Sequence, residues 1–445
     1  MRRRIHRQLP LVPLPIDHQH CREMIELGAI LDRHPELEQI VERDLQGAGV
    51  RQDVGREGMS ADQILRALIV KQMNQFSYEE LSFHLADSVT YRGFCRLGAF
   101  AQVPRKSSLQ DNLRRVSAQA LEQMNRVLLQ TPEARKIEPA RKVRIDTTGI
   151  PGNIQKPTDS SLLWDTVRVL VREMYRSWEV VDFVWSDHSK RAKRRRVAII
   201  SAKPKRRKEL YCDLIEVTRR TVGYAEKALQ SLNLAGFDEL PCALKLARTL
   251  PLARQVLDQA RRRIVDGEKV PVAEKLLSIF EPDTDLLVKG GRDPIYGHKI
   301  CLSIGVSSLV LDCTIEQGNP ADSALAVNAI KRLDEICEQL PSQAVFDGGF
   351  SSKDNLEKIK ALGVKDVAFT KHLGLEISEM VRSSWVFKRL RNFRAGVEGC
   401  ISFLKRAFGL ARCTWRGGRE GFESYVWSSV LSANLLTLAR HQLSP

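Results

Sequence analysis

The tightest constraint on this chain is a strand pattern that appears once and then vanishes for the length of a small domain. RKVRIDTTGIPGNI, from Arg141, alternates basic or polar with apolar residues and then meets Gly149, Pro151 and Gly152. That is the pattern of a short strand running into turns, with Asp146 inside the strand. From Thr158 to about Phe280 the apolar residues recur at helical spacing instead. Strands then return together. IYGHKICLSIGVSS and LVLDCTIEQGN read as two in succession, DSALAVNAIKRLDEICEQL as a helix, and SQAVFDGGFSS as a strand, Ala344 to Phe346, ending in a glycine turn. KDNLEKIKALG and KDVAFTKH add another helix and another strand. Any sheet that uses the first strand must therefore close across a helical insertion.

Ahead of that strand, Asp17 to Glu138 reads as nearly all helix. Ser60 with Gln63 three residues on has the form of an N-terminal cap, and Ser77 opens a second short helix after a turn at Asn74 to Phe76. The basic and polar QDNLRRVSAQALEQMNRVL then begins near Ser108. The pattern fits a helix-turn-helix-like DNA-binding module and a dimerisation bundle equally.

With 43% hydrophobic and 28% charged residues the chain has the means for a sizeable core. Its net charge of +16 and pI near 9.5 favour a polyanionic partner, nucleic acid ahead of acidic membrane surfaces. Prolines interrupt the apolar part of MRRRIHRQLPLVPLPIDH and no long apolar run follows, so neither a signal peptide nor a membrane span is expected. The nine cysteines show no C-x-x-C pair and no zinc spacing, which suits reduced thiols in a cytosol. SKRAKRRRVAIISAKPKRRK carries the densest positive charge, interleaved with Trp185, His188 and Tyr211; phosphate contacts and a plain solvated face both remain open for it.

Taken in order, these elements have the plan of a ribonuclease-H-like fold: three strands, a crossover helix, and two more strands flanked by helices. The expected class is mixed α+β, with an all-α amino-terminal domain at 1–140, a catalytic domain at 141–445 and a basic helical insertion at 158–282. Asp347 ends its strand where Gly348 and Gly349 turn and leave its carboxylate at the carboxyl edge of the sheet. In RNFRAGVEGCISFLKRAFGL, from Arg391 to Leu410, Phe393, Val397, Cys400, Ile401, Leu404 and Phe408 form an apolar helical stripe. Arg394, Glu398 and Lys405 form a second row beside it. In such a fold Asp146, Asp347 and Glu398 converge, and grouped carboxylates repel unless a cation sits among them; hard oxygen ligands suit Mg²⁺ or Mn²⁺.

The stretches GMSADQILRALIVKQMNQFSYEELSFHLADS, PTDSSLLWDTVRVL, YGHKICLS, EQGNPADS, FDGGFSSKDNLEKIKALGVKDVAFTK and LRNFRAGVEGCISFLKRAFGLARCTWRG resemble those of bacterial insertion-sequence transposases of the DDE type. The likeness runs in order over nearly the whole chain and is nearest to the ISNCY group, related to insertion sequence 5 and insertion sequence 4. A signature of those families, Tyr, Arg, Glu and Lys at set intervals, is matched at Arg394, Glu398 and Lys405. It departs at Arg391, where the pattern has Tyr.

The resemblance implies that Asp146, Asp347 and Glu398 are the catalytic triad and hold two Mg²⁺ or Mn²⁺ ions. It implies that Arg394 and Lys405, with Arg391 and Lys371 nearby, contact end DNA, and that the amino-terminal helices help recognise inverted repeats. It also implies a cytoplasmic protein acting on double-stranded transposon ends and target DNA as a homodimer. A nuclease of the same fold without strand transfer, and an inactive DNA-binding copy, are the alternatives.

Three further features carry two readings each, and a fourth carries one. His298 fits a hydrogen-bonded structural role better than proton transfer. Lys371 and His372, after the last strand, suit phosphate contact or plain surface. Trp415, in RCTWRGGRE, suits packing or stacking on a splayed base. Val426 to Leu443 reads as a closing core helix.

Overall fold

The computed structural model describes residues 17–47, 58–98, 101–288, 293–371 and 373–444. Eight helices lead: α1 (Gln19–Arg33), α2 (Pro35–Gly47), α3 (Ala61–Asn74), α4 (Tyr78–Asp87), α5 (Val89–Phe94), α6 (Lys106–Leu113), α7 (Ala118–Gln130) and α8 (Pro132–Ile137). Ser60 and Ser77 each form a reciprocal capping box, with Gln63 and Glu80, so the starts of α3 and α4 are written locally. Gln75 ends α3 in the left-handed region at φ 54°. The basic and polar stretch near Ser108 forms two helices, α6 and α7. Ser117 caps α7, and Asp44 on α2 holds it, accepting from the Ser117 amide at 2.7 Å and hydroxyl at 2.8 Å. That break is set by a residue distant in the sequence.

The first strand, β1 (Lys142–Pro151), runs on through Gly149 to Pro151 where turns were expected. Pairing explains the extension. Its outer neighbour β3 (Ile295–Ile304) is antiparallel to it from Arg144↔Ile304 to Pro151↔Gly297, and Gly297 lies so close to the Ile150 carbonyl that no side chain fits there. Between them in sequence come α9 (Asp159–Trp178), α10 (Ser189–Ser201), α11 (Pro204–Leu234), α12 (Pro241–Ile264) and the short β2 (Asp285–Leu287). This three-residue strand, absent from the sequence reading, pairs with the start of β3, while β4 (Val310–Ile315) pairs with its later part.

After α13 (Ala326–Cys337), β5 (Gln343–Phe346) lies parallel to β1, and after α14 (Lys353–Ala361), β6 (Asp366–Phe369) lies parallel to β5. The sheet order is β2-β3-β1-β5-β6, with β4 also on β3. This is the mixed α+β, ribonuclease-H-like plan. A short helix α15 (Ile377–Met380) leads to α16 (Ser384–Ala407), which packs on β1, β5 and β6, and α17 (Gly418–Leu443) closes the chain. α16 stops at Ala407, short of Leu410, because Gly409 turns left-handed at φ 77°. α17 starts at Gly418, eight positions before the expected Val426.

One hydrophobic core joins the amino-terminal helices, the sheet, α16 and α17. Buried amides tie it across long sequence distances. Asn434 on α17 accepts from the Val310 amide at 2.9 Å and donates to Asn125 on α7 at 2.7 Å. Gln72 on α3 donates to the Phe408 carbonyl at 2.7 Å. Helices α9 to α12 close on a second core of their own. The chain leaves for them and returns at one place, since Gly152, just past β1, lies against Glu281, just before β2. Among the described residues no helix is long and apolar enough to cross a membrane.

Candidate active site

Strand register places the two aspartates. Ile145 pairs with Phe346 at the end of the parallel β1–β5 ladder, so Asp146 and Asp347 are the next residues on neighbouring strands. Phe346 likewise pairs with Phe369, which sets Thr370 beside Asp347; the Thr370 hydroxyl donates to Asp347 Oδ1 at 2.9 Å. Alternation along β1 sends Arg144, Asp146 and Thr148 toward α16 and Thr147 to the opposite face. Each of the first three finds a partner on that helix. Arg144 donates to the Phe393 carbonyl at 3.1 Å and to Cys400 Sγ at 3.0 Å, and with Lys142 covers the Phe393 ring. Thr148 Oγ1 accepts from Lys405 Nζ at 2.8 Å.

Arg394 is the centre of the site. Its Nη2 lies 3.0 Å from Asp146 Oδ2 and 3.2 Å from Asp347 Oδ1, and its Nη1 lies 3.9 Å from Glu398 Oε1. The Arg394 side chain is 16% exposed, whereas Glu398, one helical turn on, is 78% exposed. The structure thus brings Asp146, Asp347 and Arg394 together and leaves Glu398 at the rim. The Asp146 carboxylate also accepts from the Thr147 amide at 2.8 Å. Arg391 and Lys371 are exposed, and the Lys371 stem lies over Gly348, where an added Cβ would meet it at 2.6 Å. His372 lies outside the described residues.

Behind β1, the Thr147 hydroxyl donates to Asp322 Oδ1 at 2.9 Å, and Lys299 reaches the same oxygen at 3.0 Å and the Pro320 carbonyl at 2.6 Å. Asp322 Oδ2 backs onto Gly349. This buried polar knot links the ends of both aspartate-bearing strands. The sequence reading missed Thr147, Lys299, Asp322, Thr370 and Arg144; only Thr370 had a legible signal, its place after β6 matching that of Asp347 after β5.

His298 is buried, with Nδ1 3.2 Å from Asp285 Oδ2 and its ring edge-on to Phe422, a structural role. Trp415 is also buried, at 6% exposure, so packing is the reading that fits it.

As the side chains stand, no three His, Cys, Asp or Glu among the described residues are grouped tightly enough to hold a metal ion. The donor set nevertheless fits a small divalent cation. One point, now held by Arg394 Nη2, is within contact of both aspartates, and Mg²⁺–oxygen distances of about 2.1 Å need Arg394 to withdraw and the carboxylates to close by roughly 1 Å.

The Transposase DDE domain family matches residues 258–435, and a second family, described as a transposase domain of the DUF772 type, matches residues 17–115. The chain belongs to the insertion-sequence DDE transposases. The DDE match takes in Asp347, Arg394, Glu398 and Lys405; Asp146, on the far side of the insertion, precedes it. No curated protein and no solved structure matches the transposase. DNA is the partner its family implies, and divalent-metal dependence is general among DDE transposases.

Proposed function

We propose that this DNA transposase binds the inverted repeats of an insertion sequence, cuts at their ends and joins them to target DNA, with Asp146, Asp347 and Glu398 as its catalytic carboxylates. The observation that carries the reading is the single guanidinium of Arg394 set among all three. These carboxylates would hold two Mg²⁺ or Mn²⁺ ions. Bound there, such ions activate a water or 3′-hydroxyl for in-line attack and stabilise the leaving 3′-oxygen.

The rest is done by this chain's own groups. Asp146 stands inside β1 and Asp347 at the end of β5, braced by the Thr147 amide and the Thr370 hydroxyl, so their oxygens need little reorganisation on closing. Glu398, on the rim of α16, would complete the set by turning inward. Arg394 would then be free to hold the phosphate beside the scissile bond. Lys405 exchanges Thr148 for a neighbouring phosphate, and Lys371 and Arg391 flank the path.

The DNA ends would be recognised with help from the amino-terminal helices. There α4 presents Glu79, Glu80 and Asp87 outward, which suits positioning rather than groove contact; Arg105, Lys106, Arg114 and Arg115 around α6 offer the cationic side. The division into 1–140 and 141–445, with 158–282 inserted, the nearness to the ISNCY group, a homodimer on paired ends and a cytoplasmic, nucleoid-associated protein belong to the same reading.

The test is strand transfer of a labelled oligonucleotide carrying the element's end, with Mg²⁺ or Mn²⁺, comparing this protein with Asp347→Asn and Glu398→Gln. Joined product that falls at least about 100-fold in both variants, with unchanged circular dichroism, supports the reading. Cleavage without joining gives the nuclease instead, and product undiminished in Glu398→Gln removes Glu398 from the triad.

A further inference from the structure

A cavity of about 470 Å³ lies between the α6–α7 junction and the turn that joins α16 to α17. Arg114, Arg115 and Arg416 line it, together with Ser117, Trp415, Gly417 and Gly421 at the start of α17. This 26-residue helix begins without a side-chain cap, so its first-turn amides add partial positive charge to the same wall. Donors without acceptors mark the place further. Trp415 is 6% exposed, yet its Nε1 has no hydrogen-bond partner, and the nearby Tyr78 hydroxyl also lacks one. The buried Lys71 ammonium sits 4.8 Å from the Tyr78 ring centre and 5.7 Å from that of Trp415. An unpaired buried donor on Trp415, in the wall of a cavity rimmed by three guanidiniums, describes a seat for an anion, with Tyr78 and Lys71 packed behind that wall. On the acidic side, Glu423 is paired with Arg419 at 2.7 Å, and Glu420 stands on the rim.

The seat is connected to the carboxylates. The Cys413 amide donates to the Pro151 carbonyl at 2.8 Å, which fixes the turn to the end of the strand that carries Asp146. Five residues of strand separate Asp146 from Pro151, roughly 17 Å; Lys405 lies along them at Thr148 and Gly149, and Arg412 just beyond at the Ile154 carbonyl.

We propose that this cavity takes a backbone phosphate of the bound DNA, roughly five or six base pairs from the scissile one. The proposal rests on the DNA-end reading above and adds to it the surface by which the duplex leaves the active site. It also gives the contact between amino-terminal helices and catalytic part a function, since neither forms the seat alone.

Arg115 and Arg416 are exposed, so their alanine variants should fold; Arg114 also holds the Arg416 carbonyl and is left in place. Binding of an end duplex to full-length protein carrying Asp347→Asn, without metal, would be followed from 50 to 200 mM salt. Arg115→Ala and Arg416→Ala should each lower the slope of log K against log salt by about 1 and weaken binding about five- to tenfold, on end and random duplex alike. Glu420→Gln should tighten it. A duplex with one uncharged methylphosphonate at the predicted linkage should lose affinity for the parent protein and lose no more for Arg115→Ala.

Slopes unchanged in both arginine variants overturn the proposal while leaving DNA binding itself intact. Absence of salt-dependent binding by the parent protein overturns the DNA-end reading as well. Thermal stabilisation by inorganic phosphate that Arg115→Ala abolishes, with DNA slopes unchanged, assigns the seat to free phosphate and also overturns the proposal.

Discussion

Arg394 holds together carboxylates that would otherwise repel, and in doing so it occupies the point a divalent ion needs. On the proposed metal site, metal and guanidinium would therefore compete. Arg394→Gln is expected to bind Mn²⁺ about tenfold more tightly in titration calorimetry without DNA, a gain of about 1.4 kcal/mol, and yet to lose strand transfer. Weaker Mn²⁺ binding in that variant would contradict the competition. A second residue works through its ionisation. Burial pushes the Lys71 ammonium down to about 8 from its ordinary 10.5. Between those values the unfolded chain holds a proton that the folded chain has released, so this group makes stability rise with pH from about 8 to about 10.5. Urea unfolding of Lys71→Met should show a flatter profile there and a higher midpoint at neutral pH; an unchanged profile would assign the pH dependence elsewhere. At Gly297 the constraint is steric. The close approach of the Ile150 carbonyl leaves no room for Cβ, and Gly297→Ala should cost more than about 2 kcal/mol in the same assay.

Among the elements, β4 and α13 are joined by one ion pair. Arg332 reaches Asp312, itself 2% exposed, through two hydrogen bonds of 2.7 Å, and also Glu122 on α7 at 2.9 Å. Asp312→Ala leaves that guanidinium with Glu122 alone and is expected to cost about 1.5–3 kcal/mol, measured by thermal unfolding.

How far elements can be read in the sequence follows the range of the forces that set them. The caps at Ser60 and Ser77 and the apolar stripe of α16 are local and were legible. So was the place of Asp347, because a strand that ends in a turn marks its own carboxyl edge, whereas Asp146 was legible only as a residue inside its strand. What escaped depended on distant partners: the break at Ser117, held by Asp44; the run of β1 through Pro151, held by β3; and the start of α17, fixed by the glycine turn at 417 and 418, with φ of 128° and 64°. The Thr147–Asp322–Lys299 knot escaped for the same reason, since EQGNPADS reads alone as a polar loop.

At the scale of the whole molecule, the charge of +16 makes DNA binding strongly salt-dependent. If six to ten phosphates are contacted, affinity should fall about 10³–10⁵-fold between 50 and 200 mM salt. The shared core, pinned by Asn434 and Gln72, makes the amino-terminal helices poor candidates for removal, whereas α9 to α12 have their own. Gly152 and Glu281 meet at the foot of that second core, so the insertion hangs from the sheet by a single stem. A length change, a duplication or a wholesale exchange above that stem would leave every strand register below it untouched. The sheet and the helices packed on it can thus be inherited unchanged while the appendage drifts, and related chains would be expected to differ most in how much protein is hung between β1 and β2.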